Sequence, residues 1–234
     1  MHSETIDRMR GVSTATLTLQ LLKKGIPSTF MSGVRPLNSP PLKLIGPAYT
    51  LRYVPRREDL ISPDTLGDPQ YTPRRAIEEA PAGSVLVIDG RGVADVAVLG
   101  DILAERLKQR GVAGVVTDGA VRDIDEARRV GLPLYAVGAA APASISGHSA
   151  GDLECRIGCG GVAVVPGDII VADADGAVVV PRGLADEIAR DGVEQELYEA
   201  FAKEQVEKGR LTREVYPATE ASRAEFAAWR AKRV

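Results

Sequence analysis

Between residues 84 and 137, short apolar runs alternate with stretches of helical periodicity. The apolar runs are rich in aliphatic residues and carry charge only at their ends, which is typical of strands buried on both faces. The helical stretches between them each end at a glycine, Gly111 or Gly131, and glycine favours helix termination. This β-α-β-α-β order favours parallel strands joined by right-handed crossovers. The predicted strands are 84–89, 112–117 and 134–137, and the predicted helices are 101–110 and 124–130.

The flanking segments extend this pattern to one α/β domain over residues 1–234. An N-terminal helix is predicted at about 12–24, and a C-terminal helical extension at about 184–234. Residues 138–160 are rich in Ala, Gly and Ser and predict irregular structure, whereas the polar residues 55–72 predict an exposed loop. The other predictions are a loop at 33–47, strands at 48–53, 162–165, 169–172 and 177–180, and helices at 74–80, at 184–208 and near Trp229.

Charge, hydropathy and cysteine content exclude several classes of protein. The formal net charge is -3, so no bulk attraction to nucleic acid is expected. No apolar run is long enough to predict a membrane span, and the first residues lack the basic and apolar parts of a secretory signal. Cys155 and Cys159 cannot make a disulfide framework and lack companion ligands for zinc. A cytoplasmic protein without nucleic-acid or membrane partners is therefore expected.

Gly100 and Asp101 stand where the predicted helix 101–110 begins. A glycine lets a ligand approach the backbone closely, and the free N–H groups of a helix start attract an anion. These residues are a candidate substrate site. The alternative is that Asp101 simply caps its own helix.

Arg122 and Asp123 stand between the predicted strand 112–117 and the predicted helix 124–130. Ligands of open α/β sheets collect at such carboxyl ends of strands. The planar guanidinium of Arg122 can hold a carboxylate or ketone oxygen, and Asp123 can bind a hard divalent cation whose other ligands are water. The alternative is a helix-capping acid in a surface ion pair.

The two candidate clusters belong to consecutive strand–helix units, so the ends of these units should lie side by side. Asp101, Arg122 and Asp123 would then place carboxylates, a guanidinium and a row of backbone N–H groups in one cleft. Such a cleft suits a small dianionic oxo-acid.

Asp101, twenty intervening residues and the pair Arg122-Asp123 resemble the signature of the class II pyruvate aldolases. This family includes 4-hydroxy-4-methyl-2-oxoglutarate / 4-carboxy-4-hydroxy-2-oxoadipate aldolase and the proteins named regulator of ribonuclease E activity A. The segments GSVLVIDGRG, LGDILAERLKQRGVAGVVTDGAVRD and GGVAVVPGDIIVADADGAVVVP also resemble family blocks, as does the opening VSTATLTLQLLKKGI. The resemblance covers most of the chain.

The resemblance implies an α/β fold of the RraA-like type, a three-layer β/β/α sandwich similar to swivelling β/α/β domains. It also implies assembly as a homotrimer or hexamer. In the family, an acidic residue from a neighbouring subunit's C-terminal helix can join the outer shell of the metal. The candidates in this chain are Glu196, Glu199, Glu204 and Glu207.

The resemblance further implies roles for the two clusters. Arg122 would contact the substrate and act in catalysis with Asp101. Asp123 would bind a divalent metal directly or through water, with Mg²⁺ expected and Mn²⁺ or Co²⁺ as alternatives. The substrate-binding backbone N–H groups would be those of Gly100, Asp101, Ile102 and Leu103.

The implied reaction is the cleavage of a 2-oxo-4-hydroxy acid, such as 4-hydroxy-4-methyl-2-oxoglutarate, to pyruvate and a second carbonyl compound. Arg122 would stabilise the pyruvate enolate, and a metal-bound water positioned by Asp101 would carry the proton steps. Oxaloacetate decarboxylation is expected as a side activity because it passes through the same enolate. One alternative is an aldolase for a 2-keto-3-deoxy sugar acid, with specificity set by residues 55–72 and the tail after Gly209. Another is a non-catalytic regulator that binds ribonuclease E.

Several polar residues are predicted to lie outside this site. Arg56-Arg57 and Arg74-Arg75 are interpreted as solvated loop charges, with binding of an acidic substrate in a neighbouring subunit as the alternative. His148 lies in a segment predicted to be flexible, with contact to a substrate tail as its alternative role.

Overall fold

The computed structural model describes residues 3–59 and 61–232. Both ends of the predicted domain 1–234 lie outside the described residues, and so does the start of the segment tested for a secretory signal. One position of the predicted loop 55–72 is also outside them. The helices are α1 (Ser3–Arg10), α2 (Thr14–Lys23), α3 (Thr72–Glu79), α4 (Asp101–Gln109), α5 (Ile124–Val130), α6 (Ala185–Glu207), α7 (Thr212–Val215) and α8 (Glu220–Ala231), with 3₁₀ turns at Pro63–Gly67, Ser144–Ser146 and Arg182–Leu184. The strands are β1 (Arg35–Pro36), β2 (Leu44–Pro55), β3 (Val85–Asp89), β4 (Ala97–Leu99), β5 (Gly114–Thr117), β6 (Ala120–Val121), β7 (Leu134–Ala136), β8 (Gly138–Ala139), β9 (His148–Leu153), β10 (Ile157–Cys159), β11 (Val162–Val164), β12 (Ile169–Asp173) and β13 (Gly176–Val180).

In the described part of the chain, eight strands form one large sheet in the order β1-β7-β5-β3-β2-β12-β13, with β9 also paired to β2. The central strands β2, β3, β5 and β7 run parallel, as the alternation of strands and helices predicted. The outer pairings, β1 with β7 and β12 with β2 and β13, are antiparallel. The predicted α/β fold class is confirmed, and the sheet curls until it is nearly closed.

The large sheet is apolar on both faces because successive side chains of a strand point to opposite sides. In β3, Val85 and Val87 face an interior shared with β12 and the β10–β11 hairpin. Leu86 and Ile88 face outward against α3, α4 and α5. On the other part of the sheet, α1, α2 and α6 cover β12 and β13. Each aliphatic side chain buried in these layers contributes about 1.5–3 kcal/mol.

A second, smaller sheet carries the turns that hold the predicted site residues. Its parallel strands β4, β6 and β8 follow β3, β5 and β7 in the chain and pair in the order β4-β6-β8. Helix α4 begins directly after β4, and helix α5 begins soon after β6. The small sheet therefore places the N-termini of these two helices next to each other.

The chain passes from the large sheet to the small one through two glycines that touch. A Cβ atom on Gly90 would lie 2.6 Å from both the backbone N and the Cα of Gly119. Both contacted atoms belong to backbone, which cannot swing aside as a flexible side chain could. Glycine at position 90 is thus required for the close crossing that sets the small sheet on the large one.

Several predicted elements differ from the structure. Residues 138–160 are not irregular, since they contain β8, β9 and β10. Strand β2 begins at Leu44, inside the predicted loop 33–47; its pairing with β3 starts only at Ala48, so the missing N–H of Pro47 costs no bond to β3. Helix α1 and the small sheet were not predicted. The strands of the small sheet have two or three residues each, which is too few to show a periodicity.

The C-terminal extension packs through an aromatic cluster that joins α6, α7 and α8. Tyr198 and Phe201 of α6 contact Phe226 of α8 with ring centroids 5.3 Å and 5.8 Å apart. The Tyr198 hydroxyl donates to the carbonyl of Val215 at 2.5 Å. Among the described residues, no helix combines the length and the hydropathy needed to cross a membrane.

The glycine crossing yields a stability prediction. Gly90→Ala should lower the free energy of unfolding by about 1–3 kcal/mol, because the added methyl group overpacks a fixed backbone contact. Urea denaturation followed by circular dichroism measures this loss. Gly158→Ala is the matched control: a Cβ there meets nothing within 4 Å, and the expected change is within about 0.5 kcal/mol. Equal effects of the two substitutions would contradict the role assigned to the crossing.

Candidate active site

The structure brings the two predicted clusters together at the edge of the small sheet. Gly100 and Asp101 directly follow β4, and Arg122 directly follows its parallel neighbour β6. The backbone N–H of Arg122 donates to the carbonyl of Leu99 at 2.9 Å. This bond fixes the start of α4 against the segment that leads into α5.

Gly100 makes the close contact between the two clusters possible. A Cβ atom at this position would lie 3.1 Å from Cγ of Arg122 and 3.3 Å from Oδ2 of Asp123. Gly100, rather than Asp101, occupies the N-cap position of α4, and no side chain caps this helix. The first-turn N–H groups of α4 are therefore open to an anionic ligand. Asp101 itself is half-buried in the first turn.

Arg122 and Asp123 form an ion pair in which Nε of the arginine donates to Oδ2 of the aspartate at 2.9 Å. Both side chains are a little under half exposed, at 43% and 45%, so the pair contributes at most about 1 kcal/mol to stability. Within the described residues, the terminal nitrogens of Arg122 have no hydrogen-bond partner. The pairing holds the guanidinium in place and leaves those donors for a ligand.

Asp123 adopts an unusual backbone conformation for its position. Its φ of 54° and ψ of 45° lie in the left-handed region, which costs most residues other than glycine about 1–2 kcal/mol, although aspartate adopts it more readily than most. Although it holds the N-cap position of α5, its side chain makes no capping bond. Of the alternative of a helix-capping acid in a surface ion pair, the capping bond is absent and the ion pair is present. Strain of this kind concentrates at functional sites.

These residues line a cleft of about 290 Å³. Its walls come from four places in the chain: the start of α3 with the preceding 3₁₀ turn, the β4–α4 junction, the β6–α5 junction, and the turn before β9. The lining residues are Leu66, Arg74, Ala97, Val98, Leu99, Gly100, Asp101, Ile102, Leu103, Arg122, Asp123, Ala143 and Ser144. All of the predicted site residues lie in this one lining.

Arg74 also lines the cleft, although it was interpreted as a solvated loop charge. It is exposed, as that interpretation expected, and it lies in the first turn of α3, as the predicted helix 74–80 expected. Its Nε donates to the carbonyl of Leu66 at 2.9 Å. No pattern in the sequence indicated that this helix start faces the β4–α4 junction.

The cleft fits a divalent metal of the hard, water-rich kind. Two carboxylates, those of Asp101 and Asp123, line it, and one oxygen of Asp123 is not used by Arg122. The described residues contain no group of three or more His, Cys, Asp or Glu side chains placed to hold a metal. Magnesium needs only one or two carboxylates because water and substrate oxygens complete its shell, whereas a closed zinc site needs four protein ligands.

His148 does not belong to the cleft lining. Its side chain is fully buried at the start of β9, 5.0 Å from the ring of Tyr53 between centroids. A terminal nitrogen of Arg91 lies 3.2 Å from its Nδ1. Burial, reinforced by the charge of Arg91, lowers the pKa of His148 from 6.5 to about 4. The prediction of a flexible segment here is wrong, and the histidine is a neutral core residue near neutral pH.

Asp118, which precedes the second cluster, has a structural role. Its two carboxylate oxygens accept backbone N–H bonds from Gly90 at 2.7 Å and Gly160 at 3.2 Å. Burial raises its pKa above the ordinary value. The bonds tie the β5–β6 connection to the β3–β4 connection and to the β10–β11 hairpin. Cys155 and Cys159 are free thiols, the second fully buried.

Three of the four C-terminal glutamates have partners within their own chain. Glu196 accepts the N–H of Ser13 at 2.8 Å. Glu199 and Glu204 accept bonds from side chains of the C-terminal helices, each at 2.8 Å. Glu207 is the last residue of α6 and is exposed. Their predicted contribution to a neighbouring subunit's metal shell stays a prediction.

The chain belongs to the RraA-like family, described as Aldolase/RraA, whose pattern matches residues 13–179. This range contains both the β4–α4 and the β6–α5 junctions. The resemblance on which the sequence analysis relied is thereby confirmed.

Two curated relatives and one solved structure illustrate the relationship. Protein DlpA of Legionella pneumophila is 31% identical over 176 residues, which are 75% of this chain and 27% of DlpA. A 4-hydroxy-4-methyl-2-oxoglutarate aldolase of Thermus thermophilus is 41% identical over 109 residues, 47% of this chain and 66% of that protein. The chain thus spans less than two thirds of the length of either relative.

The solved structure is Streptomyces coelicolor RraAS2, described as an unusual member of the RNase ES inhibitor RraA protein family. It superposes with a TM-score of 0.77 and 35% sequence identity. The match covers 87% of this chain and 97% of RraAS2. The large sheet and its helices are therefore those of this family.

The buried histidine predicts a pH-dependent stability. The folded protein keeps His148 neutral down to about pH 4, whereas the unfolded chain binds a proton near pH 6.5. Between these values the unfolded state holds more protons, so the free energy of unfolding should fall as the pH is lowered from 6.5 to 4. The contribution of this residue is up to about 3 kcal/mol. Urea denaturation at several pH values should show a smaller fall for His148→Asn than for the wild type, and equal falls would contradict the assignment.

Proposed function

We propose that the protein is a divalent-metal-dependent aldolase that cleaves a 2-oxo-4-hydroxy acid to pyruvate and a second carbonyl compound. The observation that carries this proposal is the joint placement of Asp101, Arg122 and Asp123 around one cleft beside an uncapped helix start. Each group alone has a structural explanation. Together they would supply an anion site, an oxyanion donor and a hard metal ligand in one place.

The substrate carboxylate would bind at the N-terminus of α4. The first-turn N–H groups of this helix lack a side-chain cap, and the helix dipole adds a partial positive charge there. Gly100 removes the side chain that would otherwise stand between the helix start and Arg122. The pyruvate half of the substrate can therefore lie between the helix start and the guanidinium.

Arg122 would stabilise the charge that develops during bond cleavage. When the 4-hydroxyl loses its proton, C4 becomes a carbonyl carbon and the C3–C4 bond breaks. The electron pair of that bond then forms the enolate of pyruvate, with negative charge on the C2 oxygen. The terminal nitrogens of Arg122, held in place through Nε, donate to that oxygen, and a preorganised donor of this kind is a large term in catalysis.

Asp101 would orient the water molecule that carries out the two proton transfers. Its carboxylate lines the cleft in the first turn of α4, where it can orient a water molecule. That water accepts the 4-hydroxyl proton and returns a proton to C3 of the enolate, which completes pyruvate.

Asp123 would hold the metal, with Asp101 as the second available carboxylate. A divalent cation bound there would supply Lewis-acid polarisation to the substrate. The bond that one carboxylate oxygen of Asp123 accepts from Arg122 restrains this side chain, which supports the proposal. Magnesium is the cation that suits two carboxylates and a mostly aqueous shell.

The relatives support a lyase. The Thermus thermophilus protein is named as a 4-hydroxy-4-methyl-2-oxoglutarate aldolase, and the matched family is described as Aldolase/RraA. Oxaloacetate should also be decarboxylated, because loss of its C4 carboxylate as carbon dioxide leaves the same enolate. Assembly as a homotrimer or hexamer is part of the same proposal.

A regulatory role is the second candidate, and the description of RraAS2 as a member of an RNase ES inhibitor family favours it. Such a protein would bind a ribonuclease through its surface and would not need the cleft. A pull-down against ribonuclease E, run beside an oxaloacetate decarboxylase assay, separates the two functions.

The first functional prediction concerns Arg122. Arg122→Ala should lower kcat for pyruvate release by about 100-fold to 1,000-fold, because a preorganised enolate donor is lost. Lactate dehydrogenase-coupled assays over a set of 2-oxo-4-hydroxy acids measure the change. Arg129→Ala is the matched control, since Arg129 lies on α5 in an exposed pair with Glu126 and outside the cleft. Substantial activity in Arg122→Ala would sink the proposed mechanism.

The second functional prediction concerns the metal. Exhaustive treatment with EDTA should abolish pyruvate release, and Mg²⁺ or Mn²⁺ should restore it, while circular dichroism shows an unchanged fold. Asp123→Asn should need at least about tenfold more Mg²⁺ for half-maximal activity, because a ligand charge is removed. Full activity after complete chelation would mean that the metal has no role in the reaction.

A further inference from the structure

Two arginines reach the cleft from different walls, and the proposed reaction uses only one of them. Arg122 comes from the β6–α5 junction, whereas Arg74 comes from the first turn of α3. We propose that Arg74 is a specificity-determining residue that binds a second carboxylate, on the half of the substrate that does not become pyruvate. This inference rests on the proposed function and selects 2-oxo-dicarboxylic acids over sugar acids with a neutral tail.

Arg74 is anchored in the same way as Arg122. Its Nε donates to the carbonyl of Leu66 at 2.9 Å, just as Nε of Arg122 donates to Asp123. In both residues the anchor restrains the plane of the guanidinium and leaves the terminal nitrogens available. An arginine whose fork is already oriented loses less entropy when it binds a carboxylate.

The acidic residues near Arg74 are occupied by other partners. Glu79 pairs with Arg75 at 2.8 Å, and Glu78 pairs with Arg106 of α4 at 2.6 Å. Among the described residues, no carboxylate lies within ion-pair distance of Arg74. Arg74 therefore has no ion-pair partner in the described part of the chain, in contrast to its neighbour Arg75, although its charge adds to the bond from Arg106 in lowering the pKa of Glu78.

Helix α3, which carries Arg74, packs against α4. Buried side chains of the two helices, among them Ala76 and Leu107, belong to one core cluster. Glu78 near the end of α3 also pairs with Arg106 in the last turn of α4. The two carboxylate-binding points of the cleft, the N-terminus of α4 and the guanidinium of Arg74, therefore lie on two helices that are packed together. A substrate that carries a carboxylate at each end matches this arrangement.

A carboxylate suits Arg74 better than a hydroxyl group does. Hydrogen bonds between a guanidinium and a carboxylate are charge-assisted and about twice as strong as neutral ones, and they form in parallel pairs. A sugar-acid tail offers neutral hydroxyl groups, which could not balance the charge of Arg74. The cleft should therefore prefer the dicarboxylic acid when the two substrates are otherwise alike.

The test is a binding measurement with two analogues that cannot undergo aldol cleavage. 2-Oxoglutarate carries a distal carboxylate, and 2-oxopentanoate carries a methyl group in its place. Isothermal titration calorimetry in the presence of Mg²⁺ should show tighter binding of 2-oxoglutarate to the wild type. Arg74→Gln should weaken that binding by about 10-fold to 100-fold and change 2-oxopentanoate binding by less than about threefold.

Two further variants distinguish recognition from structural support. Arg75→Gln removes the adjacent, paired arginine outside the cleft and should leave both affinities unchanged. Arg74→Lys keeps the charge but loses the fork, and should retain part of the preference. Equal weakening of both analogues in Arg74→Gln, or no weakening of either, would overturn the proposal. Because the analogues are not cleaved, this outcome is independent of a separate pyruvate-release assay, whose failure would count against the aldolase instead.

Discussion

The parallel pairing of β4 with β6 is the constraint on which the candidate site depends. Neither strand is long enough to be stable alone, but the N–H bond from Arg122 to Leu99 joins them at their carboxyl ends. This pairing sets the uncapped start of α4 beside a strained, ion-paired Asp123. The glycine contact between residues 90 and 119 holds the small sheet against the large one. Backbone contacts therefore determine where the side chains of the site lie.

The regular part of the fold could be predicted from the sequence because its signals are local. The helix 124–130 has the predicted bounds, and β3 and α4 differ from prediction by one residue at one end. Buried valine-rich runs and glycine stops depend on burial and on backbone freedom at single positions. The meeting of the β4–α4 and β6–α5 turns also followed from the expectation that consecutive parallel units lie side by side.

The rest of the architecture depends on contacts between distant segments. The strands within 138–160 consist largely of small residues with weak strand preference, and β9 forms by pairing with the far end of β2. Arg74 and Arg75 are adjacent residues of the same type, yet Arg74 lines the cleft and Arg75 forms an exposed ion pair with Glu79. The orientation of α3 against α4 determines which of the two arginines reaches the cleft, and the local sequence does not predict this orientation.

The central claim is that Asp101, Arg122 and Asp123 form one site that stabilises the enolate of pyruvate. It can be tested without knowing the second half of the substrate, since an enzyme that forms this enolate also exchanges the methyl protons of pyruvate with solvent. The measurement is proton NMR of pyruvate in D₂O with Mg²⁺ and catalytic amounts of protein. The account predicts loss of the methyl signal faster than in the protein-free control, and no acceleration by Arg122→Ala. A wild-type protein that leaves the exchange rate at the protein-free value would contradict it.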